Sequence, residues 1–418
     1  MYFRAEKLIL TTFLCAAPVA LHAQFDFNLD GRPVQVHSFA SQGFMYTNQN
    51  NYMTMNTTAG SFAFTDFGAN VSAKLTDNFR VGAQIYDRNI GQLGKWQPTL
   101  DWAVADYKFK DWFGIRAGKV KTTLGLYNDT QDMEFLQTWA LMPQSVYSLD
   151  QRGTMISHMG GDIYGDVGLK KLGGFAYTVY GGELPQDSTG GWVYAMQTSN
   201  RIGFTADGLP IIVAAPVHSI RSYAGPVYGA DLRWTTPVKG LLVGYSYVNQ
   251  DRSAAGTWYA NNLPFHFRTD KDNTYASYVD YAIGKLRING EYRRELFYAQ
   301  QTSPSSSTVF GPTTDKDMRT GYVSAAYRLT KMLEVGSYYS RFYNSWSILH
   351  SDPLNHVYDY AITARIDLRS YLDLKVEGHF MNGTAPGITV TRGFYAADNP
   401  NGFKPDTRLL VIRVGYHL

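Results

Sequence analysis

The chain has 418 residues, a near-balanced formal charge of +3, few charged residues (17%) and many Gly (39), Tyr (31) and Phe (23). That length suits one large domain, and a balanced charge without a basic stripe argues against nucleic acid as a partner. The only cysteine, Cys15, lies in the first segment, so everything after it lacks disulfides, thiol chemistry and cysteine-based zinc sites.

Residues 1–23 read as an export signal. Arg4 and Lys7 form a positive start, and LILTTFLCAAPVAL (8–21) is an apolar run shorter than the ~20 residues of a spanning helix. LHA, ending at Ala23, suits cleavage; an uncleaved membrane anchor is the other reading. Residues 24–418 are then expected to form a single domain, and no later apolar run is long enough for a transmembrane helix.

From there the pattern has period two. FRVGAQIYDR (79–88) sets Phe79, Val81, Ala83 and Ile85 opposite Arg80, Gln84, Tyr86 and Arg88. LRINGEYRRE (286–295), YDYAITARIDL (358–368) and YLDLKVEGHF (371–380) alternate in the same way. In chain order the pattern predicts sixteen strands: 34–46, 62–74, 79–89, 99–109, 112–119, 154–168, 172–181, 226–236, 240–250, 273–284, 285–298, 318–329, 331–343, 356–368, 371–381 and 408–418. Glycine weakens the first, sixth and seventh, and an 18-stranded version would use part of 191–215. Many of these runs match the ~9–11 residues of a tilted membrane strand better than the ~5–6 of a soluble sandwich. Short turns such as TDN (76–78), KD (110–111) and RS (369–370) alternate with long loops such as 182–225, 251–272 and 382–407. Strands in lipid cannot leave edge groups unpaired. The fold expected is therefore all-β: a closed transmembrane antiparallel barrel, apolar outside and polar inside. Tyr107, Phe109, Phe113 and Tyr371 gather at short turns, and Tyr245, Tyr247 and Tyr281 fall on lipid-facing positions.

A barrel of this size is too wide for side chains to fill, which leaves an aqueous lumen. Alternation places Arg80, Arg88, Arg116, Arg233, Arg287, Arg293, Arg328, Arg365 and Arg413 on a pore-lining basic wall, with Lys119 and Lys121 contributing. Asp106, Asp231, Asp280, Glu291, Asp359 and Asp373 fall on the same face. The third long connection, about 120–153, breaks the period with GLYNDTQDMEFLQTW (125–139). Its spacing predicts a short helix from Thr130, capped by Asp129 and ended by Pro143. Leu136, Trp139 and Ala140 would pack on the inner wall, leaving Asp129, Asp132 and Glu134 as the pore constriction.

The last stretch, RLLVIRVGYHL (408–418), resembles the closing strand that the barrel assembly machinery recognises in Gram-negative outer-membrane proteins, although that family usually ends in Phe rather than Leu418. RAGKVKTTLGLYNDTQD (116–132), followed by PQSVY (143–147), resembles a stretch of porins related to the phosphate-selective porins. The resemblance implies a trimeric 16-stranded porin whose third loop folds inward. It implies a homotrimer set among outer-membrane lipid and lipopolysaccharide, passing small hydrophilic solutes or ions by passive diffusion, with no cofactor. The loop is net acidic beyond Lys121, so the family's preference for anions does not carry over with it.

Two other readings stay open: an outer-membrane barrel enzyme acting on lipid or peptide, and a secreted soluble β-protein. Neither G-x-S-x-G nor H-E-x-x-H occurs, and His350 and His356 in one loop are a weak metal pair, so no metal is expected. The strand pattern starts too soon after the signal for a plug domain.

Overall fold

The computed structural model describes residues 25–29, 31–198, 200–204, 210–214, 217–258, 262–303, 306–309, 314–386 and 392–418; the expected signal, 1–23, lies outside them. Sixteen strands form one closed antiparallel barrel. They are β1 (Arg32–Thr47), β2 (Ser61–Lys74), β3 (Phe79–Ile90), β4 (Thr99–Lys110), β5 (Phe113–Lys121), β6 (Ser157–Gly168), β7 (Gly174–Glu183) and β8 (Pro226–Thr235). The second half is β9 (Leu241–Gln250), β10 (Pro264–Ile283), β11 (Leu286–Ser303), β12 (Thr314–Arg328), β13 (Leu333–Tyr343), β14 (His356–Arg369), β15 (Leu372–Asn382) and β16 (Asp406–His417). Each strand pairs with its sequence neighbour, and β16 returns to β1 with Phe39 opposite His417 and Thr47 opposite Leu409. Closure leaves none of the sixteen strands at a free sheet edge, the condition for crossing lipid on strands. Among the described residues no helix is long and apolar enough to cross a membrane.

The expected strands all appear. β10 and β11 run longer than expected, to Pro264 and Ser303. Beyond the rim β10 pairs with Ser253–Trp258, which pairs with Val217–Ala224. The described residues of the 191–215 stretch add no barrel strand. Gly191–Thr198 is helical, and Asn200–Phe204 pairs with Pro210–Ala214 in a separate sheet, so the count is sixteen rather than eighteen.

Alternation sorts the faces. On β14, Asp359, Ala361 and Thr363 are buried inside, while Tyr360 and Ile362 are about half exposed outside (43% and 50%). Aromatics collect at the short-turn end, where Tyr107, Phe109 and Phe113 contact one another in series with centroids 4.6 and 5.2 Å apart.

Glycine weakened the sequence pattern at β6 because the wall is bare there, not because pairing fails. Gly118, Gly160 and Gly182 face one another across three strands. At Gly118 the backbone sits at φ +125°, and a Cβ would come 2.3 Å from the Ala103 carbonyl oxygen. Gly118→Ala is expected to cost about 1–3 kcal/mol, read as a lower Tm of the folded band on a heat-modifiability gel. An unchanged Tm would show that the strand yields at that point.

The third long loop departs from expectation. No α-helix spans Thr130 to Pro143; the segment is a run of turns with one 3-10 turn at Glu134–Leu136. Asp129 caps nothing, and Leu136 is 53% exposed rather than packed, whereas Trp139 and Ala140 are buried. The physical reason is competition. A helix would need the carbonyls of Glu134, Phe135 and Gln137 for its own ladder, and Lys375 and Arg365 on the wall take them instead.

Candidate functional site

Between the end of β5 and the start of β6 the chain crosses the lumen, and residues from around the barrel hold it. Arg233 on β8 donates to the Gly125 carbonyl (3.2 Å), and Arg293 on β11 donates to those of Leu124 and Val146 (both 3.3 Å). Arg365 on β14 takes the carbonyls of Phe135 (2.6 Å) and Gln137 (2.9 Å), Arg413 on β16 that of Ala140 (3.0 Å), and Arg88 on β3 that of Leu149 (2.7 Å). Carboxylates reach the amides: Glu377 on β15 accepts from Ala140 N (3.0 Å) and Leu141 N (2.9 Å), and Glu291 on β11 from Leu126 N (3.1 Å). An irregular segment away from water must find partners for its backbone groups, and here the charged wall supplies them. Trp139 adds an apolar anchor, edge-on to Tyr338 at 5.1 Å.

The expected basic wall therefore splits. Arg88, Arg233, Arg293, Arg365 and Arg413 bind the loop. Arg80, Arg116, Arg287 and Arg328 pair along the wall, with Asp106 (3.2 Å), Asp162 (3.0 Å), Asp280 (2.8 Å) and Glu334 (2.7 Å). Lys119 stands in register with Ala103 and Met159, away from the Arg116 face; it borders the inner cavity, but its Nζ donates to the Leu100 carbonyl at 2.5 Å.

The three loop acids differ in the same way. Asp132 is buried and accepts from Lys121 (2.9 and 2.8 Å) and from Gln84 (2.7 Å). Gln84 also donates to Asp101 (2.9 Å), which meets Arg152 end-on through both Nη atoms (2.9 and 2.8 Å). Glu134 is buried against Lys375 at 2.5 Å. Burial pushes both carboxyls up, but Lys121 and Arg152 hold Asp132 below its ordinary value, and Lys375 and Arg413 bring Glu134 down to about 2, so both stay ionised at neutral pH. Only Asp129 borders open space, with a side chain 25% exposed and Oδ1 3.7 Å from Arg233. Sequence reading found the acids but missed their partners Lys121, Gln84 and Lys375, and the supporting Asp101, Arg152 and Glu377. Lys375 and Glu377 stand out on the polar face of YLDLKVEGHF, yet nothing local links them to a loop so far away in sequence.

Open space follows the β1–β6 wall. At the short-turn end lies a cavity of about 510 Å³, joined through Gln35, Ser72, Arg80 and Arg116 to one of about 390 Å³ below the loop. Beyond the Lys121–Asp132–Gln84–Asp101–Arg152 layer lies a small cleft of about 40 Å³ beside Arg88 and Asp187. Among the described residues the long-loop end holds an apolar cluster. Met45, Phe64, Phe267, Phe297, Phe342 and Leu409 point in from the strands and pack with Tyr52 and Met53, Leu141, Trp192 and Met196, and Phe394 from the loops. The inner face is thus polar at the middle and apolar near the long loops, a change that simple alternation did not predict. Among the described residues no cluster suited to a metal ion occurs.

No family model matches the chain, and no curated protein matches it by sequence. Solved structures do match. An anion-selective porin from Comamonas acidovorans aligns at 12% identity and TM-score 0.52, over 92% of this chain and 99% of its own. The outer-membrane channel DcaP of Acinetobacter baumannii aligns at 10% and 0.53, over 94% and 99%. Salmonella typhi OmpF, solved with daunomycin, aligns at 10% and 0.53, over 94% and 100%. The fold is that of an outer-membrane porin. At such identities the porin fold is what the likeness carries; the loop clamp and the apolar mouth belong to this chain's own residues.

Proposed function

We propose that this chain is an outer-membrane porin, a water-filled channel for passive diffusion of small hydrophilic solutes or ions. The observation that carries the reading is a loop clamped by charged side chains across a barrel whose middle is polar. That arrangement narrows the lumen to a passage along β1–β6 while leaving fixed charge beside it. Solute would cross between the two larger cavities and the Asp129–Arg233 edge. The three acids Asp129, Asp132 and Glu134 remain the proposed constriction, with unequal parts. Asp129 sets the field at the opening, and the other two hold the loop in place.

Stepwise conductance of the purified protein in planar bilayers is the test, and its absence would remove the channel reading. Asp129→Asn should shift the reversal potential toward anions, because it removes the one loop carboxylate at the open edge and leaves Arg233 less balanced. An unchanged reversal potential would place the ion path elsewhere.

The outer membrane is the proposed location, reached through the expected signal and the barrel assembly machinery. A homotrimer is supported by a flat outer face. Ala83, Ala103, Ala105, Ala117, Gly161 and Gly181 lie side by side in register across β3–β7, allowing close approach of a second wall. For the enzyme reading the most suggestive group is His379, between Asp359 (3.0 Å) and Glu377 (3.0 Å). Glu377 is occupied by the loop amides, so this cluster works as support for the loop.

A further inference from the structure

The inward-facing side chains of β1–β5 form layers below the clamped loop. The layer next to the loop is the Lys121–Asp132–Gln84–Asp101–Arg152 network, and the layer nearest the short turns pairs Arg80 with Asp106 (3.2 Å) and Arg116 with Asp162 (3.0 Å). Between them the ladder sets Gln35 opposite Ser72 and Ser72 opposite Gly82. One step nearer the loop, His37 stands opposite Asn70, Asn70 opposite Gln84, and Gln84 opposite Trp102. Gln35, His37, Asn70, Ser72 and Trp102 all line the cavity of about 390 Å³. The charges that border this cavity are already engaged. Lys121 is held by Asp132, Arg80 and Arg116 by their acids, Asp129 lies against Arg233, and Lys119 donates to the Leu100 carbonyl. The hydrogen-bonding groups between the two charged layers are not. Among the described residues no side-chain hydrogen bond engages Gln35, His37 or Ser72, and Asn70 uses only its Nδ2, toward Gln84 (3.3 Å). The Thr123 hydroxyl and the Trp102 indole N–H, on the same wall, are buried without a partner among the described residues, and such groups call for an occupant. Trp102 adds an apolar surface. The edge of its ring lies over Gly82, where a Cβ would come 3.1 Å from it, so the bare strand makes room for the ring.

We propose that this layer is a binding site for a neutral sugar, a mono- or disaccharide held on its way through the channel. The inference rests on the channel reading and gives it a substrate class. A polyol fits because each of its hydroxyls both donates and accepts, and side-chain amides and hydroxyls offer the same two functions side by side. One face of a pyranose presents C–H groups, which suit the negative face of an indole ring. Apolar surface with a few placed polar groups is the usual make-up of a small-molecule site. A free ion, by contrast, would meet only charges that already have partners.

The test uses full-length protein in detergent, with glucose, sucrose, glucose 6-phosphate and inorganic phosphate as probes. Saturation-transfer NMR reads ligand contact, and the same solutes added in planar bilayers should interrupt the ion current while they are bound. Wild type should bind glucose or sucrose, and inorganic phosphate should not compete. Trp102→Ala should weaken sugar binding by roughly tenfold, and Trp102→Phe should recover most of it. Gln35→Ala with Ser72→Ala, which breaks no side-chain contact inside the protein, should weaken it by roughly fivefold or more. Each variant is checked for the heat-shifted folded band. Unchanged sugar binding in either alanine variant, displacement of the sugar by inorganic phosphate, or a preference for glucose 6-phosphate over glucose would each overturn the assignment. Sugar binding by a protein that never conducts would sink the channel reading and leave the site standing, whereas conductance without sugar contact would do the reverse.

Discussion

Lys375→Met is expected to cost about 3–5 kcal/mol of stability, the usual consequence of removing one partner from a buried ion pair. Lys375 is fully buried, donates to both the Glu134 carboxylate (2.5 Å) and the Glu134 carbonyl (2.7 Å), and stands 3.8 Å from Asp373. Without it, the Glu134 carboxylate stays inside the barrel facing a second acid. Thermal unfolding in detergent should show the loss, and limited proteolysis should begin to cut between residues 122 and 156. Adding Glu134→Met to Lys375→Met should recover much of the stability, because an apolar pair avoids desolvating two charges. A single variant within about 1 kcal/mol of wild type, which is the usual worth of an exposed pair, would mean that the Glu134–Lys375 contact does not anchor the loop.

The second large effect is expected at the mouth. Trp192, on the Gly191–Thr198 helix, is 5% exposed and packs 5.4 Å from Phe267 on β10. Trp192→Ala should remove about 3–5 kcal/mol of packing, taken from the contacts that seat this helix against Phe267 and the apolar cluster around it rather than from the barrel ladder. Larger single-channel steps or a larger open fraction in planar bilayers should follow, with the Tm of the barrel itself little changed. Conductance identical to wild type would show that the helix does not cover the path. Paired with Asp129→Asn, the variant also separates two controls: the mouth governs how much passes, and the loop edge governs which charge passes.

Much of this architecture was legible in the linear pattern, for a physical reason. A strand between lipid and water carries its environment on alternate residues. Phe79, Val81 and Ile85 against Arg80, Gln84 and Arg88 therefore reveal β3 without knowledge of its neighbours. Turn length carries direction, and sixteen such runs leave one closed solution once edges are forbidden. The sequence by itself thus determined the strands, their outward faces and the loop that breaks their period.

Only the tertiary structure decided what that loop does. Asp129 and Pro143 suit a local helix by local rules, but those rules cannot register that Arg365, Lys375 and Arg413, more than two hundred residues later, claim the same carbonyls. Likewise Asp132 and Glu134 look like free charges in sequence because their counter-ions come from the barrel wall, and Phe267 looks like a loop residue and Phe297 and Phe342 like strand residues until the barrel closes and turns them toward one another. Alternation is a property of one strand, whereas pairing across a lumen depends on the register of sixteen, and that information exists only after the sheet has closed.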